Sequence, residues 1–507
     1  MLSSRPPTAF VDEWLDRPIS PLACALGWCA GFIGFVGIVR LLGGPSRGDY
    51  EFLVYSIWAI EHGQFGCAFP SSSTTTDPFY PLFSAGVAAL VSIGHAVPFP
   101  PRSAFGPHCG KAISAINRWG VEADAWQNTF EIAYLSVLPL LAGVIAVLRT
   151  IGRGRRRWEP AAVVTIALLP PVWMCVESTF HPEDLFAMGF ALLAIACARR
   201  SAWVWAGFWI GLALVAQPFA VLIATPLVVL APGRNRLRFV GSVLVSLAVI
   251  LLPLAVVGSQ QVKGGLLHQL QTGIQNGSTS VVVSGTVVWE LHLSGTGLLV
   301  VSRAMPIAFS FLLACWVRGR LGERSLEPVV LLSLIAVCLG LRLVFEETLF
   351  GYYFMALAVA LVLVDVARGR VRSTTVAWIT VVSFVFGVMS QPVHVFNDSW
   401  ADTAQNVAAF GIIVIALSLL VRNVLRRSTS EALVWAAVLV ATLLAWDISA
   451  NPFGCDLPVW FWQTALLLPG LLLVARPLAR DLMGSGAPTD SAPGPAIDLV
   501  RPSGQVD

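Results

Sequence analysis

Residues 161–216 read AAVVTIALLPPVWMCVESTFHPEDLFAMGFALLAIACARRSAWVWAGFWIGLALVA. Three apolar runs in this stretch are separated first by the polar residues 178–182 and then by the pair Arg199-Arg200. A membrane-spanning helix needs roughly 20 apolar residues, and these runs approach that length. The stretch therefore predicts membrane helices joined by tight turns.

The composition of the whole chain agrees with this stretch. Of 507 residues, 56% are apolar and only 12% are Asp, Glu, Lys or Arg. A soluble globular chain is about 45–50% apolar and about 25% charged. So few charged groups cannot cover a soluble domain of this size, which excludes a soluble enzyme, a disordered chain, a disulfide scaffold and a nucleic-acid binder.

Similar apolar runs recur along the chain, and Pro or His residues separate some neighbours. We therefore expect an all-α polytopic membrane protein. The runs lie at 20–42, 79–97, 129–149, 161–177, 183–198, 202–216, 218–231, 239–257, 297–316, 328–345, 351–367, 374–390, 407–421, 431–446 and 459–475.

The cations indicate how the chain is oriented. Twenty of the 32 Lys and Arg residues lie in seven clusters that occupy every second loop, whereas the intervening loops hold only Lys263. Loops rich in Lys and Arg stay in the cytoplasm, so the clusters mark the inner face. They are Arg153/Arg155/Arg156/Arg157, Arg199/Arg200, Arg234/Arg236/Arg238, Arg318/Arg320/Arg324, Arg368/Arg370/Arg372, Arg422/Arg426/Arg427 and Arg476/Arg480.

One run conflicts with this alternation. If residues 79–97 crossed the membrane, the next Arg cluster would lie outside, so we interpret that run as a re-entrant or surface-lying helix. The count is then about 14 transmembrane helices with both termini inside, and 13 or 15 is the alternative. The expected domains are a cytoplasmic segment 1–19, a transmembrane domain 20–480 with external loops 43–128 and 258–296, and a disordered cytoplasmic tail 481–507.

Ionisable groups near a bilayer are costly and are usually functional or paired, so those at the external ends of the runs are candidates for a site. The first group follows the first run and contains Asp49, Tyr50, Glu51 and Tyr55. The alternative for Asp49 is a helix N-terminal carboxylate favoured by the helix dipole. Asp77 comes later in the same segment, and its alternative is a turn former before proline.

The second group is His181, Glu183 and Asp184, in the polar turn that follows residues 161–177. Capping of the next helix explains the carboxylates but not the histidine. Gln217 lies in a later turn predicted on the same face. His, Glu and Asp together could bind a metal, but their spacing matches no zinc site.

The third group is Arg342, Glu346 and Glu347, followed by Tyr352-Tyr353. Of these, Arg342, Glu346 and Tyr352 are the predicted site residues. Arg342 and Glu346 are four residues apart, so mutual neutralisation is one interpretation. The other is that the arginine binds a lipid phosphate, because its guanidinium fork matches phosphate oxygens.

Four motifs resemble the GT-C superfamily of membrane glycosyltransferases, and in particular the actinobacterial polyprenyl-phosphomannose-dependent mannosyltransferases. Their order and topology along roughly residues 20–260 carry the resemblance. One departure is Gln217, which stands where that family has a basic residue. The motifs are Gly48-Asp49-Tyr50 with Tyr55 and Gly63, Asp77-Pro78-Phe79-Tyr80-Pro81-Leu82, Pro170-Pro171 with Glu177 and His181-Pro182-Glu183-Asp184, and Ala206 to Ala213 with Gln217-Pro218.

The resemblance implies a GT-C-like bundle in the plasma membrane with its active site facing the exterior. It implies transfer of a sugar, with mannose favoured, from a polyprenyl-phosphate donor to a glycan or glycolipid acceptor. Asp49 would be the general base of an inverting reaction, and Arg342, Lys263 or Arg303 would contact the phosphate. Asp49 with two acidic residues of the second group could hold a divalent ion, but we expect no metal or other cofactor.

Two other classes of function are consistent with a polytopic chain. A transporter or lipid-carrier flippase predicts charged groups at mid-membrane and often an internal repeat, neither of which the sequence shows. A non-catalytic scaffold predicts that the external acidic and histidine groups do not converge. The sequence leaves open the acceptor, the oligomeric state and whether Cys67 and Cys109 form a disulfide.

Overall fold

The computed structural model describes residues 20–42, 44, 133–151, 158–177, 180–257, 300–346, 351–369, 371–389, 478, 479 and 482. The predictions for the N-terminal segment 1–19, the run 79–97, the loop 258–296, the runs after residue 390 and the tail beyond 482 lie outside the described residues, and so do Cys67 and Cys109.

The described part of the chain is helical and contains no strand. Short 3-10 turns lie at Tyr134–Ser136, Pro218–Ala220, Gly322–Leu326 and Gly351–Phe354, and a π-helical turn lies at Val300–Ala304. The helices are α1 Pro21–Leu41, α2 Val137–Leu148, α3 Glu159–Leu168, α4 Pro170–Glu177, α5 Pro182–Arg199, α6 Trp203–Ala216, α7 Val221–Leu230, α8 Arg234–Val257, α9 Met305–Leu321, α10 Pro328–Phe345, α11 Met355–Ala367 and α12 Ser373–Met389.

Most helix bounds lie within a few residues of the apolar runs. However, α8 begins at Arg234, five residues before the run at 239–257, and α9 ends at Leu321, five residues after the run at 297–316, so Arg236 and Arg318 lie in helix ends and not in loops. One run is broken. The run predicted at 161–177 is two helices, α3 and α4, whose axes differ by 46°. The break falls at Leu169, which is extended at ψ 135° and precedes Pro170 and Pro171. A residue before proline is disfavoured in the helical region, and proline has no N–H to donate.

Within the described residues, four helical segments are long and apolar enough to cross a membrane, or five if the bent pair α3–α4 counts as one span. The four are Pro21–Leu41, Arg234–Leu252, Val300–Leu326 and Pro328–Phe345. The count of 14 spans stays a prediction. Large apolar side chains on α8 are widely exposed, such as Val256 at 80%, as expected for a helix that faces lipid.

The Arg-rich ends of several helices meet at one end of the bundle. Arg199, at the end of α5, donates to the carbonyls of Thr150 and Leu326, the first of these at 3.0 Å. Arg318, near the end of α9, donates to Ala231 at 2.9 Å. The acidic turns that begin α5 and end α10 are therefore together at the opposite end of the bundle.

Close packing of α6 against α8 positions the turn that contains Gln217, at the end of α6. Gly207 and Gly211 on α6 face Ser242 and Ser246 on α8, and a Cβ at Gly211 would lie 2.6 Å from the Ser246 hydroxyl oxygen. Ser246 Oγ also donates to the carbonyl of Phe208 at 3.1 Å. Small residues let membrane helices approach closely, and this contact holds α6 with Gln217 at its end.

Candidate active site

The N-terminus of α5 places two carboxylates inside the protein. His181 is the N-cap residue and Pro182 begins the helix, a position where proline costs no hydrogen bond. Glu183 and Asp184 follow in the first turn, only 1% and 5% exposed. The helix dipole favours negative charge there. The preceding Phe180 is buried at φ +59°, a strained backbone for an aromatic residue.

A histidine, a glutamate and a glutamine meet at this end of α5. Nδ1 of His181 lies 2.6 Å from Oε1 of Glu183. The side-chain amide of Gln217 donates to the same oxygen at 3.4 Å. The glutamate carboxylate therefore orients the imidazole ring, and the turn after α6 reaches the turn before α5.

Two arginines converge on a second buried carboxylate. Glu346 is 3% exposed; its Oε1 accepts from Nη1 of Arg303 at 2.7 Å and its Oε2 from Nε of Arg342 at 3.0 Å. Burial raises the pKa of Glu346, but the two guanidinium groups outweigh it and hold that pKa below its usual range. The three side chains form a charged cluster with one net positive charge.

Aromatic rings join the two halves of the site. The ring of Tyr352 stacks on the imidazole of His181, with centroids 4.6 Å apart and planes 16° apart. Tyr352 also meets Tyr353 edge to face at 4.8 Å. The guanidinium carbon of Arg342 lies 4.7 Å from the centroid of the Tyr353 ring and 5.3 Å from that of Phe219.

Asp184 is within electrostatic range of both halves. The charges of His181, Glu183, Arg342 and Glu346 all act on its carboxyl group. The start of α5, the end of α10 and the turn before α11 therefore belong to one site.

The structure brings together seven of the predicted site residues: His181, Glu183, Asp184, Gln217, Arg342, Glu346 and Tyr352. The i,i+4 pairing of Arg342 with Glu346 is confirmed. The roles of all seven stay predictions. The other five, Asp49, Tyr50, Glu51, Tyr55 and Asp77, lie outside the described residues, as does Lys263.

The described part of α1 shows at which end of the bundle this helix ends. Trp28 lies under the guanidinium of Arg149, 5.3 Å from carbon to centroid, at the Arg-rich end. Arg40, near the other end of α1, lies 5.6 Å from the ring of Tyr134, at the start of α2. The helix that precedes Asp49 therefore ends on the side of the acidic turns.

Neither Phe219 nor Tyr353 was among the predicted site residues, although the sequence placed Tyr353 with Tyr352 in the third group. Both directly follow residues that were chosen: Phe219 comes after Gln217-Pro218, and Tyr353 after Tyr352. The position of an aromatic residue next to a predicted site residue in a turn was the one feature that could have indicated them. It is a weak signal, because aromatic residues are common at membrane interfaces.

Among the described residues, no group of three or more His, Cys, Asp or Glu side chains could hold a metal ion. Asp49 lies outside that set, so the expectation of no metal stays a prediction.

The structure thus has buried charges at one end of an apolar helical bundle, and comparison with known families identifies a membrane glycosyltransferase of the GT-C type. Residues 125–345 match the model of glycosyltransferase family 87. No curated protein matches the chain. The resemblance to GT-C enzymes is confirmed, although the matched region begins and ends later than the motifs on which it was first based.

Proposed function

We propose that this glycosyltransferase moves a sugar, with mannose favoured, from a polyprenyl-phosphate donor to a glycan or glycolipid acceptor on the external face of the plasma membrane. The observation that carries the proposal is the convergence of Arg303 and Arg342 on Glu346, beside the polar group of His181 and Glu183. This arrangement provides cations and hydroxyl-binding groups at one end of an apolar bundle.

The arginines suit the leaving group of the reaction. When the bond between the anomeric carbon and the donor oxygen breaks, the electron pair leaves with a lipid phosphate, whose low pKa makes a general acid unnecessary. A cation is still needed to stabilise the developing charge, and guanidinium groups bind phosphate oxygens with paired hydrogen bonds. The side chain of Arg303 is 41% exposed although it is paired with Glu346, so part of it remains accessible to a ligand.

The acceptor needs a base on the opposite face of the sugar. In the proposal Asp49 takes the proton of the acceptor hydroxyl, whose oxygen attacks the anomeric carbon and inverts it. The direction of α1 supports this assignment, because the helix that leads to Asp49 ends on the side of the acidic turns. The amide of Gln217 and the imidazole of His181 are suited to hydrogen bonds with sugar hydroxyls.

The experiment uses the full chain purified into lipid nanodiscs with radiolabelled polyprenyl-phosphate mannose, arabinose or glucose and a membrane-lipid extract as acceptor. We expect label from one donor to enter a glycan or glycolipid product in the wild type, and Asp49→Asn to abolish transfer. The control is Glu327→Gln, which changes an exposed carboxylate paired with Arg324.

Three results would contradict parts of the proposal. Full transfer by Asp49→Asn, with the variant folded, would refute the role of Asp49 as the base. Retention of the anomeric configuration in the product would refute the inverting mechanism. Movement of intact donor across the membrane without transfer would favour the flippase.

A second variant tests the phosphate contact. Replacement of Arg342 by Gln removes one charge-assisted contact, so we expect the donor KM to rise about 10- to 100-fold. An unchanged donor KM would refute the role of Arg342.

A further inference from the structure

The guanidinium of Arg342 is held by more than its ion pair. The arginine belongs to the last turn of α10, whereas the two rings that contact it come from elsewhere: Phe219 from the 3-10 turn Pro218–Ala220 and Tyr353 from the 3-10 turn Gly351–Phe354. We call Phe219 and Tyr353 the ring pair. Three segments of the chain therefore meet at one guanidinium group.

The contacts leave one part of the guanidinium available. Nε is used by Glu346 at 3.0 Å, and the guanidinium carbon lies over the faces of both rings of the ring pair. In the described part of the chain, no hydrogen bond engages Nη1 or Nη2 of Arg342. The hydrogens on these nitrogens point outward in the plane of the group, in the fork that binds two oxygens of a phosphate.

The ring pair is itself fixed by its neighbours. Tyr353 packs edge to face on Tyr352, and Tyr352 stacks on His181. Phe219 is 5% exposed and belongs to the hydrophobic core. A flexible arginine side chain loses much rotamer freedom when it binds, and this fixed environment removes part of that freedom before any ligand arrives.

We propose that Tyr353 and Phe219 are positioning residues that hold the outer edge of Arg342 ready for a phosphate group. The inference rests on the proposed function, because the phosphate is that of the lipid-linked donor. The ring faces stabilise the cation electrostatically, and they orient it without occupying its Nη hydrogens. Neither ring takes part in bond breaking.

The experiment compares Tyr353→Leu, Phe219→Leu and Tyr353→Phe in nanodiscs. Loss of one cation–π contact predicts about a three- to thirtyfold weaker binding of the donor, seen as a higher KM with kcat at saturating donor within about twofold. Tyr353→Phe keeps the ring face and should stay near the wild type. The matched control is Phe190→Leu, which removes a ring stacked on Trp209 at 5.7 Å, away from Arg342.

Binding of two probe lipids separates positioning from a general loss of structure. Polyprenyl phosphate carries the group that Arg342 would contact, and polyprenol lacks it. We expect Tyr353→Leu to weaken the binding of polyprenyl phosphate and to leave the binding of polyprenol unchanged. We also expect the double variant Arg342→Gln/Tyr353→Leu to bind polyprenyl phosphate no more weakly than Arg342→Gln does. Equally weakened binding of both lipids, or additive losses of polyprenyl-phosphate affinity in the double variant, would overturn the inference.

The outcomes distinguish this inference from the proposed function. If Arg342→Gln binds polyprenyl phosphate as the wild type does, the proposed phosphate contact itself fails. If Arg342→Gln binds it weakly but both ring variants bind it normally, the phosphate contact stands and the positioning role is wrong. Should Tyr353→Leu fail to fold, the Phe219→Leu variant decides by the same criteria.

Discussion

Replacement of Glu346 by Gln tests the charged cluster most directly. The amide keeps the size of the carboxylate but removes its charge, so Arg303 and Arg342 lose the carboxylate with which both are paired. The carboxylate is 3% exposed and makes two charge-assisted hydrogen bonds, of 2.7 and 3.0 Å. The cost is therefore that of breaking a buried ion pair.

The magnitude follows from the exposure of the two partners. The side chain of Arg342 is 16% exposed, and loss of its partner costs about 2–3 kcal/mol, as for a hydrogen bond to a charged group. The side chain of Arg303 is 41% exposed, so solvent screening reduces its contribution to about 1 kcal/mol or less. We expect Glu346→Gln to lower the free energy of unfolding by about 3 kcal/mol in total, within the range for disrupted buried pairs.

The measurement is thermal unfolding in detergent, followed by the intrinsic fluorescence of the Trp residues, with Glu327→Gln as the control. Glu327 pairs with Arg324 at a similar distance of 3.0 Å, but these side chains are 49% and 62% exposed. An exposed pair contributes about 0–1 kcal/mol. The control should therefore unfold within a few degrees of the wild type.

The pH dependence provides a second test of the same cluster. The pKa of Glu346 is held below its usual range by the two arginines against the effect of burial. A carboxyl group whose pKa is depressed by folding adds stability that is fully present above its unfolded pKa, about 4.3, and is lost as the pH falls through the folded pKa. The difference between wild type and Glu346→Gln should therefore be constant above about pH 5 and shrink at lower pH. Equal stability of both proteins at pH 7, or a gap that widens on acidification, would refute the reasoning.

Two further predictions concern the bundle that supports the site. Replacement of Gly211 by Leu inserts a side chain where a Cβ would already lie 2.6 Å from the Ser246 oxygen. It should therefore lower the free energy of unfolding by about 1–3 kcal/mol, measured by thermal unfolding. Gly241→Leu on α8, with nothing within 4 Å of its Cβ, should cost little, and equal losses would contradict the packing. Arg303 and Arg318 lie fifteen residues apart, about 22 Å along the helical segment Val300–Leu326. A typical hydrocarbon core is about 30 Å thick. Activity in nanodiscs should therefore be higher in lipids with 14- to 16-carbon chains than in lipids with 22-carbon chains, and the opposite order would exclude this estimate of thickness.

The sequence predicted most of the described helices because the hydropathy of each run by itself determines whether that run is stable in a bilayer. The run at 328–345 is helix α10 residue for residue, and 351–367 covers the last 3-10 turn together with α11. The one break that the runs did not reveal, within 161–177, follows from Pro170-Pro171, a local signal that was present in the sequence. The position of Arg clusters in every second loop likewise anticipated that Arg199 and Arg318 lie at one end of the bundle.

The composition of the site was also largely visible in the sequence. Charged groups are so rare in this chain that those at the outer ends of the runs stood out. Five acidic, basic or histidine side chains meet, with Gln217 and Tyr352 beside them: His181, Glu183, Asp184, Arg342 and Glu346. The pairing of Arg342 with Glu346 was predictable because residues four apart on a helix face the same side.

Only the tertiary structure determined which turns come together. Arg303 is 43 residues from Glu346, Gln217 is 34 residues from Glu183, and Tyr352 lies far along the chain from His181. Hydropathy and charge describe each segment independently of the others. Which helices pack against each other depends instead on side-chain shape, on small-residue contacts such as that of Gly211 with Ser246, and on hydrogen bonds between arginines and distant carbonyls. The sequence by itself therefore indicated a membrane bundle with Arg clusters at one end and a mixed group of acids, His181 and Arg342 at the other. Folding determined that Arg342 contacts two aromatic rings and one carboxylate.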